Sequence, residues 1–328
     1  MGQFILTGSA TPTDDGVAHS GTGRIARMLM RPMSLFESGE SNGKVSLKDL
    51  FNGETEIGAK SILTIDQIAN AICRGGWPAA VVSGKESTRT AMNYVDAIIN
   101  MDIQRVDGIE KDPERVRVLL QSLARNVSTL ATAKTIMGDM QVNETSITNK
   151  TLTSYLNALR RLFVIEDVPA WQPSLRSKTA IRTSHKRQFV DPSIATAAMR
   201  TNAQGILRDF ETFGFLFESL CTRDLRVYSQ ALDGEVFHYR DKSELEADFI
   251  LKLHDGRWAA VEVKLGMKQI DEAAANLLKL SEKIDKAKMN SPSFLMVLTG
   301  GHVAYRRSDG VLVVPIGCLK REIFICIL

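Results

Sequence analysis

The chain has 328 residues, 41 Lys+Arg against 38 Asp+Glu, four Cys and 44% apolar residues. That composition excludes a disordered polymer, a collagen-like repeat and a small disulfide scaffold, and a net charge of +3 does not by itself argue for nucleic acid. No run reaches the ~20 apolar residues of a membrane span, no leader-like segment opens the chain, and the scattered Cys73, Cys221, Cys318 and Cys326 suit a reduced compartment, so a cytoplasmic protein without membrane contact is expected.

Residues 3–9 read as a short buried strand ending in the small-residue loop Gly8-Ser9. A stretch punctuated by Gly and Pro follows to about Gly58, with one strand-like piece over 25–30 and too few long elements to enclose a core of its own. Thr64 and Gln67 stand at capping-box spacing ahead of Ile68, Ala69 and Ile72, and Gly75-Gly76-Trp77-Pro78 ends that helix. Helices are predicted over 85–105, 113–126, 129–139 and 148–162, then a strand at 163–165. In the last helix Leu152, Leu156 and Leu159 share a stripe, with Lys150, Thr153, Asn157 and Arg160 elsewhere.

This order resembles a winged helix-turn-helix with 148–162 as recognition helix, where Lys150 and Asn157 would meet nucleic acid. A three-helix bundle joining two other domains explains the same pattern. Residues 168–190 contain no acid but hold Arg176, Lys178, Arg182, Lys186 and Arg187. Either a solvated basic surface or contact with a polyanion such as DNA accounts for them.

From Gly205 the pattern becomes mixed α/β: a helix carrying Ile206, Phe210, Phe213, Phe217 and Leu220, with Glu218 beside that face, then strands at 226–230, 235–240, 247–254 and 257–265. A helix over 269–289 and strands at 294–299, 303–307 and 311–315 complete it. Asp255-Gly256 marks a hairpin. A two-residue loop would pair 254 with 257, and a three-residue loop 254 with 258. The second register places Asp248 opposite Lys264, and it puts Phe249, Leu251, Leu253, Ala259, Val261, Val263 and Leu265 on one face. It therefore gathers Asp248, Glu262 and Lys264 on the other.

An acid followed by Glu-x-Lys on the next strand resembles the PD-(D/E)xK nuclease site. In that reading Glu218, Asp248 and Glu262 hold Mg²⁺ through oxygen, and Lys264 orients the attacking water or stabilises developing charge. The alternative is an exposed cross-strand pair worth under ~1 kcal/mol. The Pro of the motif is absent, since Ala247 precedes Asp248, and the histidines show no metal-ligand spacing.

The strand at 4–7 with Gly8-Ser9, then Gly23-Arg24, Arg31-Pro32-Met33-Ser34-Leu35-Phe36-Glu37, Gly75-Gly76-Trp77-Pro78, Lys186-Arg187-Gln188-Phe189-Val190-Asp191 and Asp248…Glu262-Val263-Lys264 together resemble the prokaryotic AAA+-like ATPases that carry an uncharacterised, nuclease-like C-terminal domain. The resemblance implies a sensor-1 strand at 4–7, Thr7 or Ser9 near a γ-phosphate, and Arg24 as an arginine finger. It divides the chain into an ATPase-core remnant (1–58), a helical linker or lid (59–112), a winged-helix region (113–170) and a nuclease-like domain (171–328). Gly39-Glu40-Ser41-Asn42-Gly43-Lys44-Val45 imitates a Walker A loop but has three residues between its glycines and Val after the Lys, and only three residues precede Phe4. The expectation is a truncated family member without ATP hydrolysis of its own, associated with DNA and hydrolysing phosphodiesters. The alternative is a non-catalytic module that binds nucleic acid or a partner protein, or that self-associates through an incomplete N-terminal sheet.

Overall fold

The computed structural model describes residues 5, 7–8, 28–84, 88–106, 108–142, 147–173, 184–284 and 289–322. Among the described residues before Val45 there is no helix or strand. β1 (Val45–Ser46) runs into α1 (Leu47–Phe51), where the Ser46 hydroxyl accepts from the Asp49 N–H, and β2 (Ala59–Lys60) follows. α2 (Ile65–Arg74) carries the capping box that its sequence predicts: Thr64 Oγ1 accepts from the Gln67 N–H, and the Gln67 side chain accepts from the Thr64 N–H. Gly75 ends it at φ +76, against Ser193, Asp191 and the Trp77 ring. α3 (Pro78–Ser83) then starts on proline, whose missing N–H costs nothing in a first turn.

The helix predicted over 85–105 is α4 (Arg89–Ala97), a π-helical turn (Ile98–Asp102) and α5 (Ile103–Arg105). α6 (Pro113–Arg125), α7 (Ala133–Val142) and α8 (Asn149–Arg161) follow in the predicted order. After them come α9 (Pro192–Ala198), α10 (Ala203–Leu207) and α11 (Phe210–Gln230). The C-terminal part is β3 (Gly234–Arg240), β4 (Glu246–Leu253), β5 (Trp258–Lys264), α12 (Ile270–Lys283), β6 (Leu295–Thr299), β7 (Val303–Arg306), β8 (Leu312–Pro315) and β9 (Leu319–Lys320).

One sheet runs in the order β2-β7-β8-β6-β5-β4-β3, with β5, β6 and β8 parallel. The architecture is mixed α/β. Alternate β5 residues divide between two packed layers: Ala259, Val261 and Val263 join Phe213, Leu216, Phe217 and Leu220 of α11, while Trp258 and Ala260 join Ala273, Ala274 and Leu277 of α12.

Four of the expected strands need correction. Ile5, Thr7 and Gly8 are exposed, and neither they nor Met28, Leu29 and Met30 belong to a strand; the rest of the strands expected over 3–9 and 25–30 lies outside the described residues. Residues 163–165 contribute a single bridge, Ile165 to Phe189, because Phe163 turns the chain at φ +54. Residues 226–230 are the last turns of α11, not a strand. The Walker look-alike is a structural turn, as its spacing implies, with Gly43 at φ +63 and the Ser41 hydroxyl donating to the Leu319 carbonyl. The N-terminal segment is joined to the C-terminal one: β1 pairs with β9, β2 with β7, and the Leu35 N–H donates to Asp224. Across the expected cut at 170, residues 186–190 bond back to 128–129 and 164–168.

Candidate functional site

The hairpin has a three-residue loop, but the loop is residues 254–256 rather than 255–257. Leu253 donates to the Arg257 carbonyl, Gly256 takes φ +89, and Lys252 pairs with Trp258, so the register is shifted by two from the predicted one. An even shift preserves which side chains share a face. Phe249, Leu251, Leu253, Ala259, Val261 and Val263 accordingly fall in one layer, as the apolar pattern requires.

A bulge then changes the approach of Asp248. Phe237 pairs with Ile250 but Tyr239 pairs with Ala247, so β4 spends three residues where β3 spends two. Ala247 and Ile250 both pack in the α12 layer, which leaves Asp248 and Phe249 as the extra step. The β4–β5 ladder ends at Phe249–Val261, and side chains continue it. The Val263 N–H donates to Asp248 Oδ2 at 2.9 Å, and the Asp248 N–H donates to Glu262 Oε2 at 3.2 Å. Lys264 Nζ lies 3.4 Å from Glu262 Oε1. Asp248, Glu262 and Lys264 therefore meet at a strand fork, reached through the bulge rather than by simple alternation.

Glu218 of α11 is brought to the same fork by a residue that sequence reasoning placed elsewhere. Lys186 Nζ donates to Glu218 Oε1 at 2.7 Å and to Asp248 Oδ1 at 3.0 Å, and lies 5.7 Å from the Phe249 ring centroid. Its side chain is 11% exposed, against 12% and 14% for its partners. Lys186 is thus not a solvent-facing basic residue available to DNA; it compensates buried carboxylates. Arg187 is also consumed, donating to Asp167 and to the Ala131 carbonyl. The only hint in the sequence is charge complementarity, an acid-free basic run in the same chain as a carboxylate cluster.

Three carboxyl groups here face two ammoniums, so one proton on a glutamate would leave the cluster neutral. Burial pushes Glu218 up to about 8, with Lys186 pulling the other way and Asp248 adding to the rise. Burial and the neighbouring Asp248 push Glu262 up to about 8 as well. Burial opposes the charge of Asp248, yet Lys186 and Lys264 hold it below the usual carboxylate range. Burial likewise opposes the charge on Lys186, but Asp248 and Glu218 raise its pKa and keep it protonated. Lys264 is raised too, burial being outweighed by Glu262 and Asp248.

The other sequence candidates do not join this site. Lys150 and Asn157 are exposed on α8, where Asn157 Oδ1 accepts from Arg160. Thr7 is exposed and belongs to no helix or strand. Ser9, Arg24, Arg176, Lys178 and Arg182 lie outside the described residues. A second buried network stands nearby, in which Arg223 of α11 bonds Asp191 and Asp224, while Asp191 Oδ2 accepts from the Gly76 N–H.

Residues 65–205 match the family model of a domain of unknown function (DUF8612), and residues 213–319 match that of another (DUF4143). No curated protein and no solved structure matches the chain. Among the described residues no helix is long and apolar enough to cross a membrane. The chain carries two domains of unknown function, and their seam falls between α10 and α11, beside the carboxylate–lysine fork.

Proposed function

We propose that this chain is a non-catalytic regulatory module of an AAA-like ATPase system, with a C-terminal domain of nuclease-like design whose metal position is filled by a lysine. The observation that carries this reading is the Lys186 ammonium seated between Glu218 and Asp248. The order α11-β3-β4-β5-α12-β6, with Asp248 and Glu262-Val263-Lys264 at the fork, supports the nuclease-like comparison. The association with ATPases is supported by the second matched domain, a type often found with AAA-like ATPases.

Mg²⁺ does not fit the donor set as it is arranged. Asp248 Oδ1 and Glu218 Oε1 accept from Lys186, Asp248 Oδ2 accepts from Val263, and Glu262 Oε2 accepts from Asp248. A hard divalent ion needs several of these oxygens free at once. Incubating supercoiled plasmid with the protein and Mg²⁺ or Mn²⁺ tests the reading. Wild type and Asp248→Asn should both leave the plasmid intact; metal-dependent nicking by wild type that Asp248→Asn abolishes would overturn it.

DNA contact through α8 is a second reading, favoured by the exposure of Asn149, Lys150, Thr153 and Asn157 on that helix. Its mark would be salt-dependent binding that Lys150→Ala weakens across unrelated sequences.

A further inference from the structure

Lys186 and its carboxylate partners come from different matched domains: the lysine lies within 65–205, and Glu218 and Asp248 lie within 213–319. The backbone around Lys186 is fixed to the first of these. Lys186 exchanges N–H and carbonyl with Val168, both at 2.9 Å. The Arg187 carbonyl accepts from the Ser128 N–H, and its own N–H donates to the Thr129 carbonyl, each at 2.8 Å. The Gln188 carbonyl accepts from the Glu166 N–H at 3.0 Å. The side chain then crosses to the second domain, over Phe249, and ends between Glu218 and Asp248. A strap in the first domain thus carries a positive charge into an acidic fork in the second.

Building on the closed-site reading above, we infer that Lys186 is an intramolecular cation that latches the two domains together and competes with a divalent ion for Glu218 and Asp248. An ammonium and a metal ion cannot share these oxygens, because the two positive charges would stand at contact distance in a place with little water to screen them. Release of the strap gives up its backbone hydrogen bonds to Val168, Ser128, Thr129 and Glu166, so the latch stays closed until something acts on residues 184–190. Competition also makes the coupling reciprocal. Whatever draws residues 184–190 away from α11 and β4 strengthens cation binding, and cation binding loosens the strap by the same factor. A partner that pulls on the first domain would in this way alter a site in the second.

Mn²⁺ titration followed by electron paramagnetic resonance, with wild type, Lys186→Met and Lys186→Met/Asp248→Asn, tests the competition. Methionine keeps an apolar stem over Phe249 and removes the charge. Lys186→Met should bind Mn²⁺ at least about tenfold more tightly than wild type, and the added Asp248→Asn should remove that gain. A cooperatively unfolding Lys186→Met with wild-type Mn²⁺ affinity would overturn the inference. The latch is read separately by hydrogen exchange in a Glu218→Gln/Asp248→Asn variant. Faster exchange at 184–190 and 164–168 is expected, and unchanged exchange there would also overturn it. Plasmid nicking by wild type would instead remove the closed-site reading, so the two failures look different.

Discussion

His238 shows how one buried side chain ties the strap to the sheet. It is 1% exposed in β3, and its Nε2–H donates to the Ser184 carbonyl at 2.8 Å, two residues before Lys186. Burial, and then the Lys186 charge, lower its pKa to about 4, with Asp248 and the Ser184 carbonyl pulling the other way. An ordinary histidine titrates near ~6.5, so the folded value is depressed. The stabilisation from keeping it neutral is therefore complete above pH ~6.5 and is lost as pH falls toward 4, amounting to about 3 kcal/mol. Urea unfolding at pH 7.5 and near pH 4 should show that extra loss in wild type, whereas His238→Gln, which keeps an N–H for Ser184, should lack it. Parallel losses in the two proteins would count against the assignment. At this scale the sequence was informative in part. Glu262-x-Lys264 and the Asp255-Gly256 turn point to the hairpin, and parity decides which apolar residues share its buried face. The bulge at Asp248 and the partner of Lys186 were not legible, because a bulge has no composition signal and a lysine in a basic run looks solvated.

Elements were most legible where local chemistry defines them. The capping box of α2 is a local device, and Thr64→Ala should cost about 1 kcal/mol in chemical denaturation. α11 is different: nearly all residues from Phe213 to Ser229 are buried, including Arg223 and Asp224, so no polar stripe marks the helical period. That is why its last turns, Arg226-Val227-Tyr228-Ser229-Gln230, resemble a strand in sequence. Arg223 is 1% exposed in its side chain and lies between Asp191 and Asp224, both at 0%. Arg223→Ala leaves two buried carboxylates without their cation and should cost about 3–5 kcal/mol, several times the α2 cap. Measured side by side, equal losses for the two substitutions would show that the buried network is not what holds α11 against α9.

The mixed α/β class was visible in the whole sequence, but the way the chain closes on itself was not. β1, β2 and β9 have two residues each, too few for any periodicity, yet β2 adds residues 59–60 to the edge of the seven-stranded sheet and β1 joins β9 in a separate two-stranded sheet. The same core holds Leu35, Leu47 and Leu50 from the N-terminal part, Ile72, Leu119 and Leu159 from the helices, and Val261, Leu298 and Leu319 from the sheet. Polar ties cross it as well: Met33 N–H to the Gly76 carbonyl, Leu35 N–H to Asp224, and Arg31 to Glu166. The two matched domains, 65–205 and 213–319, thus meet across buried apolar surface and buried charge, although residues 208–211 of the connection between them are exposed. Neither can leave without exposing core to water and stripping Lys186 or Arg223 from its carboxylates, so their unfolding is expected to be one event. Scanning calorimetry should give a single peak whose calorimetric and van't Hoff enthalpies agree. Two resolved transitions would mean that the seam beside α11 opens by itself. With the latch charge removed in Lys186→Met, the peak should move to lower temperature but stay single, because the shared core remains.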